Sequence, residues 1–314
     1  MIWRRLRHAL GLKSADIYST LRSSSNPFAD RVWTSAERLV LHARDYPPAA
    51  GAARLPVLCL PGLTRNAADF EVVAPWIAAR GRRVLALDLR GRGASAWDPQ
   101  PMNYMPLSYA ADVLALMDTA GIGRALFVGT SLGGIVTMVL ASLRPAAVAG
   151  AVLNDVGPSL NPEALRRIGA YTGRDPEVQD WAGAAAYARD VNAAAFPDYG
   201  PAQWTAFARR LFTEGPDGRP RLAYDPEIIA PIRAAGPDAL APDITPLFLT
   251  LATGRPLLLV RGGISDLLDP PRAEAMRMLA PHMAYAEVPN VGHAPMLDEP
   301  EALEALAAFL DGAP

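Results

Sequence analysis

Ser131 sits in the stretch Phe127-Val-Gly-Thr-Ser131-Leu-Gly133-Gly-Ile135, where small residues crowd around one hydroxyl. A serine hydroxyl is a poor nucleophile near neutral pH unless a base takes its proton. Glycines two before and two after the serine, at Gly129 and Gly133, relieve crowding in a very sharp strand-to-helix turn. The flanking residues supply that setting. Ala125-Leu-Phe-Val128 predicts a buried strand, and Leu132 to Leu143 a helix that stops before Pro145. Such a corner lifts the Ser131 hydroxyl above the sheet edge and sets it at a helix N-terminus, where backbone amides favour negative charge. An ordinary tight turn is the plainer reading of the same glycines.

A base must then come from four histidines. His8 lies in a basic N-terminal stretch, His42 in an early edge-like strand, and His282 in what reads as a surface turn. His293, in Val291-Gly-His-Ala-Pro295, follows the last strand, where a loop would hang over the C-terminal edge of a sheet. His293 is the expected base. The base needs a carboxylate to fix its tautomer and stabilise the imidazolium. Asp266 in Gly262-Gly-Ile-Ser-Asp266 is favoured, giving the chain order Ser, Asp, His. Asp155, at the end of the strand beside the serine's, is the competitor, and Asp269 before Pro270-Pro271 reads as a helix cap. An oxyanion needs two donors. The Leu132 N–H is one, and the Leu63 N–H of the Pro61-Gly-Leu-Thr64 loop is expected as the other.

The elements that must position these groups alternate short apolar runs with helix-like segments, the signature of an α/β sheet. Strands are predicted at Leu39–Ala43, Pro56–Leu60, Arg83–Asp88, Ala125–Val128, Ala149–Asn154, Pro256–Val260 and Ala284–Val288. Helices are predicted at Asp69–Arg80, Ser108–Ala120, Leu132–Leu143 and Glu301–Leu310. Residues 158–245 break the rhythm with prolines and Gly-bounded turns and no convincing strand, and read as a helical insertion above the sheet. Trp181, Tyr187, Phe196, Trp204 and Phe207 are its candidates for lining a moderately apolar pocket. The organisation expected is a basic extension over 1–27, a core over 28–157, the insertion over 158–245 and the rest of the core over 246–314.

Gly91-Arg-Gly93-Ala-Ser-Ala96 after the strand at 83–88 matches a dinucleotide fingerprint. It runs into Trp97-Asp-Pro-Gln-Pro101, whose prolines cannot continue the helix such a loop must open, so loop packing is the expected role. Composition narrows the class further. The 314 residues are 51% hydrophobic and 20% charged with a net charge of −2, enough for a sizeable core and without the basic excess that nucleic acid attracts. The lone cysteine, Cys59, excludes an internal disulfide and fits a reducing, cytoplasmic setting. Arginines and apolar residues interleave in Met1–Lys13, unlike the unbroken apolar core of a secretory signal. That segment fits a short helix on a membrane surface or partner, or a loosely ordered extension.

The Pro-Gly loop, Asp88-Leu-Arg-Gly-Arg-Gly93, the serine corner, Ser265-Asp266 and Gly292-His293 together resemble the α/β-hydrolase fold, serine-nucleophile branch, over most of 37–314. The resemblance implies a mostly parallel sheet of about eight strands flanked by helices, with a helical cap inserted after the strand that ends near Asp155. Pro61-Gly62 stands where many members have His-Gly. The expected chemistry is hydrolysis of a small-molecule ester or lactone through an acyl-enzyme, with no metal or organic cofactor. Carbon–carbon bond hydrolysis, perhydrolysis and acyl transfer use the same constellation, and a non-catalytic binding protein is the reading from another class.

Overall fold

The computed structural model of the chain describes residues 27–49, 54–236 and 243–314. Apart from Pro27, the extension expected over 1–27 lies outside the described residues. The chain order is β1 (Ala29–Thr34), β2 (Val40–Tyr46), β3 (Val57–Leu60), α1 (Val73–Ala78), β4 (Val84–Asp88), α2 (Pro106–Thr119), β5 (Ala125–Thr130), α3 (Leu132–Leu143) and β6 (Val148–Asn154). An insertion follows, with α4 (Pro162–Tyr171), α5 (Trp181–Asn192), α6 (Pro201–Leu211), β7 (Phe212–Glu214), β8 (Pro220–Leu222) and α7 (Ala230–Ala235). Then come α8 (Thr245–Ala252), β9 (Leu257–Gly262), α9 (Pro270–Leu279), β10 (Ala284–Val288) and α10 (Pro300–Gly312).

Eight strands form one sheet in the order β1-β2-β4-β3-β5-β6-β9-β10. Only β2 runs antiparallel to its neighbours, pairing with β1 and β4. The central strands are buried almost throughout and mainly apolar, with polar residues such as Asp88, Thr130 and Asn154 at their C-terminal ends, because both faces are covered. On one face, Leu116, Val136 and Phe248 from α2, α3 and α8 pack against Leu58, Phe127 and Leu259. On the other, Val73, Ile77, Leu306 and Phe309 from α1 and α10 pack against Cys59, Val128 and Val260.

Register decides what gathers at the sheet's C-terminal edge. Gly129 of β5 pairs with Leu60 of β3 and Leu153 of β6, and Asn154 of β6 pairs with Val260 of β9. The loops that begin at Pro61, Ser131, Asp155 and Gly263 therefore emerge side by side. The insertion is sewn onto them. Gly93 N–H donates to Ala223 O at 2.8 Å, Asn66 Nδ2 to Arg210 O at 2.8 Å, and Gly292 N–H to Ala195 O at 2.7 Å.

Several elements differ from the expectations. The helix expected over Asp69–Arg80 is a 3-10 turn at Ala67–Phe70 followed by α1. Asn66 caps that turn, its side chain accepting from Ala68 N–H. The insertion holds a strand pair, β7–β8, of three residues each around Gly215-Pro-Asp-Gly218, too short to carry a period. The edge strand β1 has only Trp33 fully buried, so it shows no apolar run.

Candidate active site

The backbone at Ser131 has φ 51° and ψ −116°, a left-handed conformation that costs a non-glycine residue on the order of 1–3 kcal/mol. Its neighbours explain how the chain gets there. A Cβ on Gly133 would lie 2.1 Å from Leu60 O, and one on Gly129 2.6 Å from the Gly133 carbonyl, so neither position admits a side chain. A Cβ on Gly134 would meet Val156 Cγ1 at 2.4 Å, so this glycine lets α3 approach the loop that carries Asp155. The Ser131 N–H donates to Asn154 O at 3.0 Å, which closes the corner against β6.

Ser131 Oγ lies 2.9 Å from His293 Nε2, in the loop after β10. His293 Nδ1 lies 2.7 Å from Asp155 Oδ2. With Nδ1–H donating to the carboxylate, Nε2 is left to accept the serine proton, the tautomer the surroundings assign. Asp155 is fully buried and carries its own donors: Gly262 N–H to Oδ1 at 2.9 Å and Ser265 Oγ–H to Oδ2 at 2.6 Å. Asn154 ties the arrangement together, donating from Nδ2 to Thr130 Oγ1 at 3.0 Å and to Pro295 O at 2.8 Å.

Asp266, expected beside the histidine, is not brought there. Its carboxylate is half exposed and pairs with Arg167 of α4 at 2.7 Å. After β9 the chain turns so that Ser265 points inward to Asp155, which leaves the next residue, Asp266, facing outward. Asp155 follows β6 directly, its N–H bound to Val260 O at 2.7 Å, and needs no turn to reach the edge. The expected cap role of Asp269 holds: its side chain accepts from Arg272 N–H at the start of α9.

Leu132 is the first residue of α3, where helical N–H groups have no intrahelical acceptor. Leu63 lines the pocket with Ser131 and His293, and Gly62 between them packs on the serine, a Cβ there lying 3.7 Å from Ser131 Cβ. The glycine-rich loop at 91–96 opens no helix; α2 begins only at Pro106. Its Arg92, fully buried, instead donates from Nε to Leu63 O at 2.9 Å and from Nη1 to Tyr109 Oη at 2.8 Å. Arg92 thus holds the expected donor loop, a role with no sequence signal beyond its place in the glycine pattern.

The pocket above Ser131 is roofed by the insertion. Tyr187, Phe196 and Phe207 line it as expected, joined by Tyr171, Leu211 and Tyr224. Trp204 packs instead behind it, with its ring centroid 5.8 Å from that of Phe207. Trp181 lies under the Arg209 guanidinium at 3.5 Å, and neither tryptophan reaches the pocket. Burial raises the phenols of Tyr171, Tyr187 and Tyr224 above their ordinary range, so they remain protonated. Beside Met296, burial and then the neighbouring Asp298 push Glu299 up to about 7.

Known proteins share this architecture. The sequence model of the alpha/beta hydrolase family matches residues 57–306. A 3-hydroxybutyrate-oligomer hydrolase of Cupriavidus necator is 34% identical over 261 residues, covering 82% of this chain and 88% of its own. A 2-(acetamidomethylene)succinate hydrolase of Mesorhizobium japonicum is 28% identical over 80% of this chain and 86% of its own. A solved alpha/beta hydrolase from Novosphingobium aromaticivorans superposes with a TM-score of 0.84 at 43% identity, over 92% of this chain and 99% of that one. With the eight-stranded sheet, the strained serine corner and these matches together, the chain belongs to the alpha/beta hydrolase family.

Proposed function

We propose that this hydrolase cleaves carboxylic esters through an acyl-enzyme on Ser131. The observation that carries the reading is the unbroken hydrogen-bonded line from Ser131 Oγ through His293 to Asp155, at 2.9 and 2.7 Å. Ser131 Oγ attacks the ester carbonyl while His293 Nε2 takes its proton. Asp155 stabilises the imidazolium formed, and the Leu63 and Leu132 N–H groups receive the oxyanion. Collapse breaks the bond to the alcohol, which leaves with the proton from Nε2. Water then enters, gives its proton to Nε2 and adds to the acyl carbon, and collapse returns the proton to Ser131.

The relative from Cupriavidus supports an ester rather than another bond, since a 3-hydroxybutyrate oligomer is joined by ester linkages. A short hydroxyacid oligoester is therefore the favoured substrate, with its units lying along Tyr187, Phe196 and Phe207. A fluorophosphonate probe tests the nucleophile, with labelling of the wild type and none of Ser131→Ala expected. Hydrolysis of 4-nitrophenyl butyrate should fall by about 10⁴-fold or more in that variant. Equal labelling of the two proteins would remove the reading.

A further inference from the structure

Among the described residues lining the Ser131 pocket, Arg65 is the one arginine. Its stem runs beside the serine: a Cβ on Gly62 would sit 3.4 Å from Arg65 Cγ and 3.7 Å from Ser131 Cβ. Its guanidinium is locked from two sides. Asp69 accepts from Nε at 2.7 Å and from Nη2 at 2.5 Å, and the Phe207 ring covers one face with its centroid 4.1 Å from Cζ. The side chain is only 14% exposed. Among the described residues, no acceptor is bound to Nη1, and that nitrogen is not sealed from solvent.

A guanidinium has five N–H donors in a rigid fork, and Asp69 engages only one edge of it. Surface arginines leave donors to water at no cost. Here the group is held against an aromatic ring and by Asp69, so the open edge is reachable from the pocket and already oriented. A planar carboxylate is the partner that fits such an edge, accepting two parallel N–H bonds. Among the described residues lining the pocket Asp69 is the only acidic one, and it is already engaged with Arg65.

We propose that Arg65 is the receptor for a free carboxylate on the substrate, so that the pocket selects anionic esters over neutral ones of the same shape. This deepens the ester-hydrolase reading and rests on it for the word substrate. Asp69 and Phe207 act as positioning residues, holding the fork so that little order is lost when the ligand binds. A hydroxyacid oligomer with one free acid end has the required chemistry.

The test measures binding without turnover. Ser131→Ala protein is titrated calorimetrically with the linear dimer of 3-hydroxybutyrate as the free acid and as its terminal carboxamide. The acid should bind about 10- to 100-fold more tightly, the range of a charge-assisted pair of hydrogen bonds. Adding Arg65→Gln should bring the two ligands to within about threefold of each other, and Arg65→Lys, with charge but no fork, should fall between. A purely structural Arg65 would weaken both ligands alike and leave their ratio unchanged, which overturns the proposal. Equal binding of acid and amide to Ser131→Ala also overturns it. Should Arg65→Gln fail to fold, the same ratio in Arg65→Lys decides: reduced supports the receptor, unchanged overturns it. Loss of the hydrolase reading is seen separately, as absence of fluorophosphonate labelling of the wild type.

Discussion

Among the described residues two histidine–aspartate pairs have the same length, and one of the two histidines also faces a serine. His293 Nδ1 meets Asp155 and His42 Nδ1 meets Asp88, each at 2.7 Å. The difference lies on the other nitrogen. His293 Nε2 faces a hydroxyl, whereas His42 Nε2 faces a second carboxylate, Asp30, at 2.9 Å. The Asp88 hydrogen bond, and after it Asp30, hold the His42 pKa above its ordinary value, against the opposing effect of burial. Two acids on one imidazole favour its protonated form, and His42 joins β1, β2 and β4 through them. An acid on one side and an alcohol on the other is the arrangement the proposed proton transfer needs. The third partner makes the difference between an ion pair and the base that the proposed mechanism calls for.

The largest expected break in this comparison is Asp155→Asn. The amide cannot hold the Nδ1–H tautomer, and kcat should drop by about 10³- to 10⁴-fold. Asp266→Asn, assayed on the same ester, should stay within about twofold, because its partner is an exposed arginine. A large loss from Asp266→Asn with Asp155→Asn tolerated would return the acid to Asp266.

Next is a buried carboxylate with no histidine at all. Glu299 accepts Met296 N–H on Oε1 at 2.8 Å, while Oε2 is buried without a partner. A folded-state pKa raised from 4.5 to about 7 means the fold favours the protonated acid, so this favourable contribution is lost as pH rises toward 7. Glu299→Gln should therefore be more stable than wild type at pH 8, by up to about 3 kcal/mol, and nearly equal to it at pH 4. Thermal unfolding at the two pH values measures the difference.

His42→Gln should lower stability by roughly 1–3 kcal/mol in acid solution. For a histidine whose folded pKa is raised, the stabilisation is complete below the unfolded value of 6.5 and is lost as pH rises through the folded one. The gap in Tm between the variant and wild type should thus narrow above neutrality. A constant gap would mean that His42 serves by shape alone. The smallest effect belongs to the Arg167–Asp266 pair, where Arg167→Ala should cost no more than about 0.5 kcal/mol in chemical denaturation.

Ser131 and His293 were legible because their constraints are local: a backbone that admits only glycine at 129 and 133, and a loop that follows the last strand. Most sheet strands were legible for the same reason, since their apolar runs register burial on both faces. The acid was not. Asp155 and Asp266 both stand after a strand, and only the direction of the turn at Gly262–Ser265 decides which carboxylate points inward. Arg65 and Arg92 were silent because arginines on loops carry no period, and their roles arise from Phe207 and Leu63, far along the chain or across it. The β7–β8 pair escaped because three residues cannot show alternation.

The hydrogen bond from Gly262 N–H to Asp155 spans 107 residues, and the whole insertion lies between its ends. Closing so long an excursion is entropically unfavourable, and contacts of high sequence separation slow folding. The serine corner can form from neighbours in the chain, but the acid gains its donors only when β9 has docked beside β6. During refolding, the chain can therefore recover much of its helix and sheet before it recovers its chemistry. In refolding, ester hydrolysis is expected to return after the helix and sheet signal, which circular dichroism beside an ester assay measures.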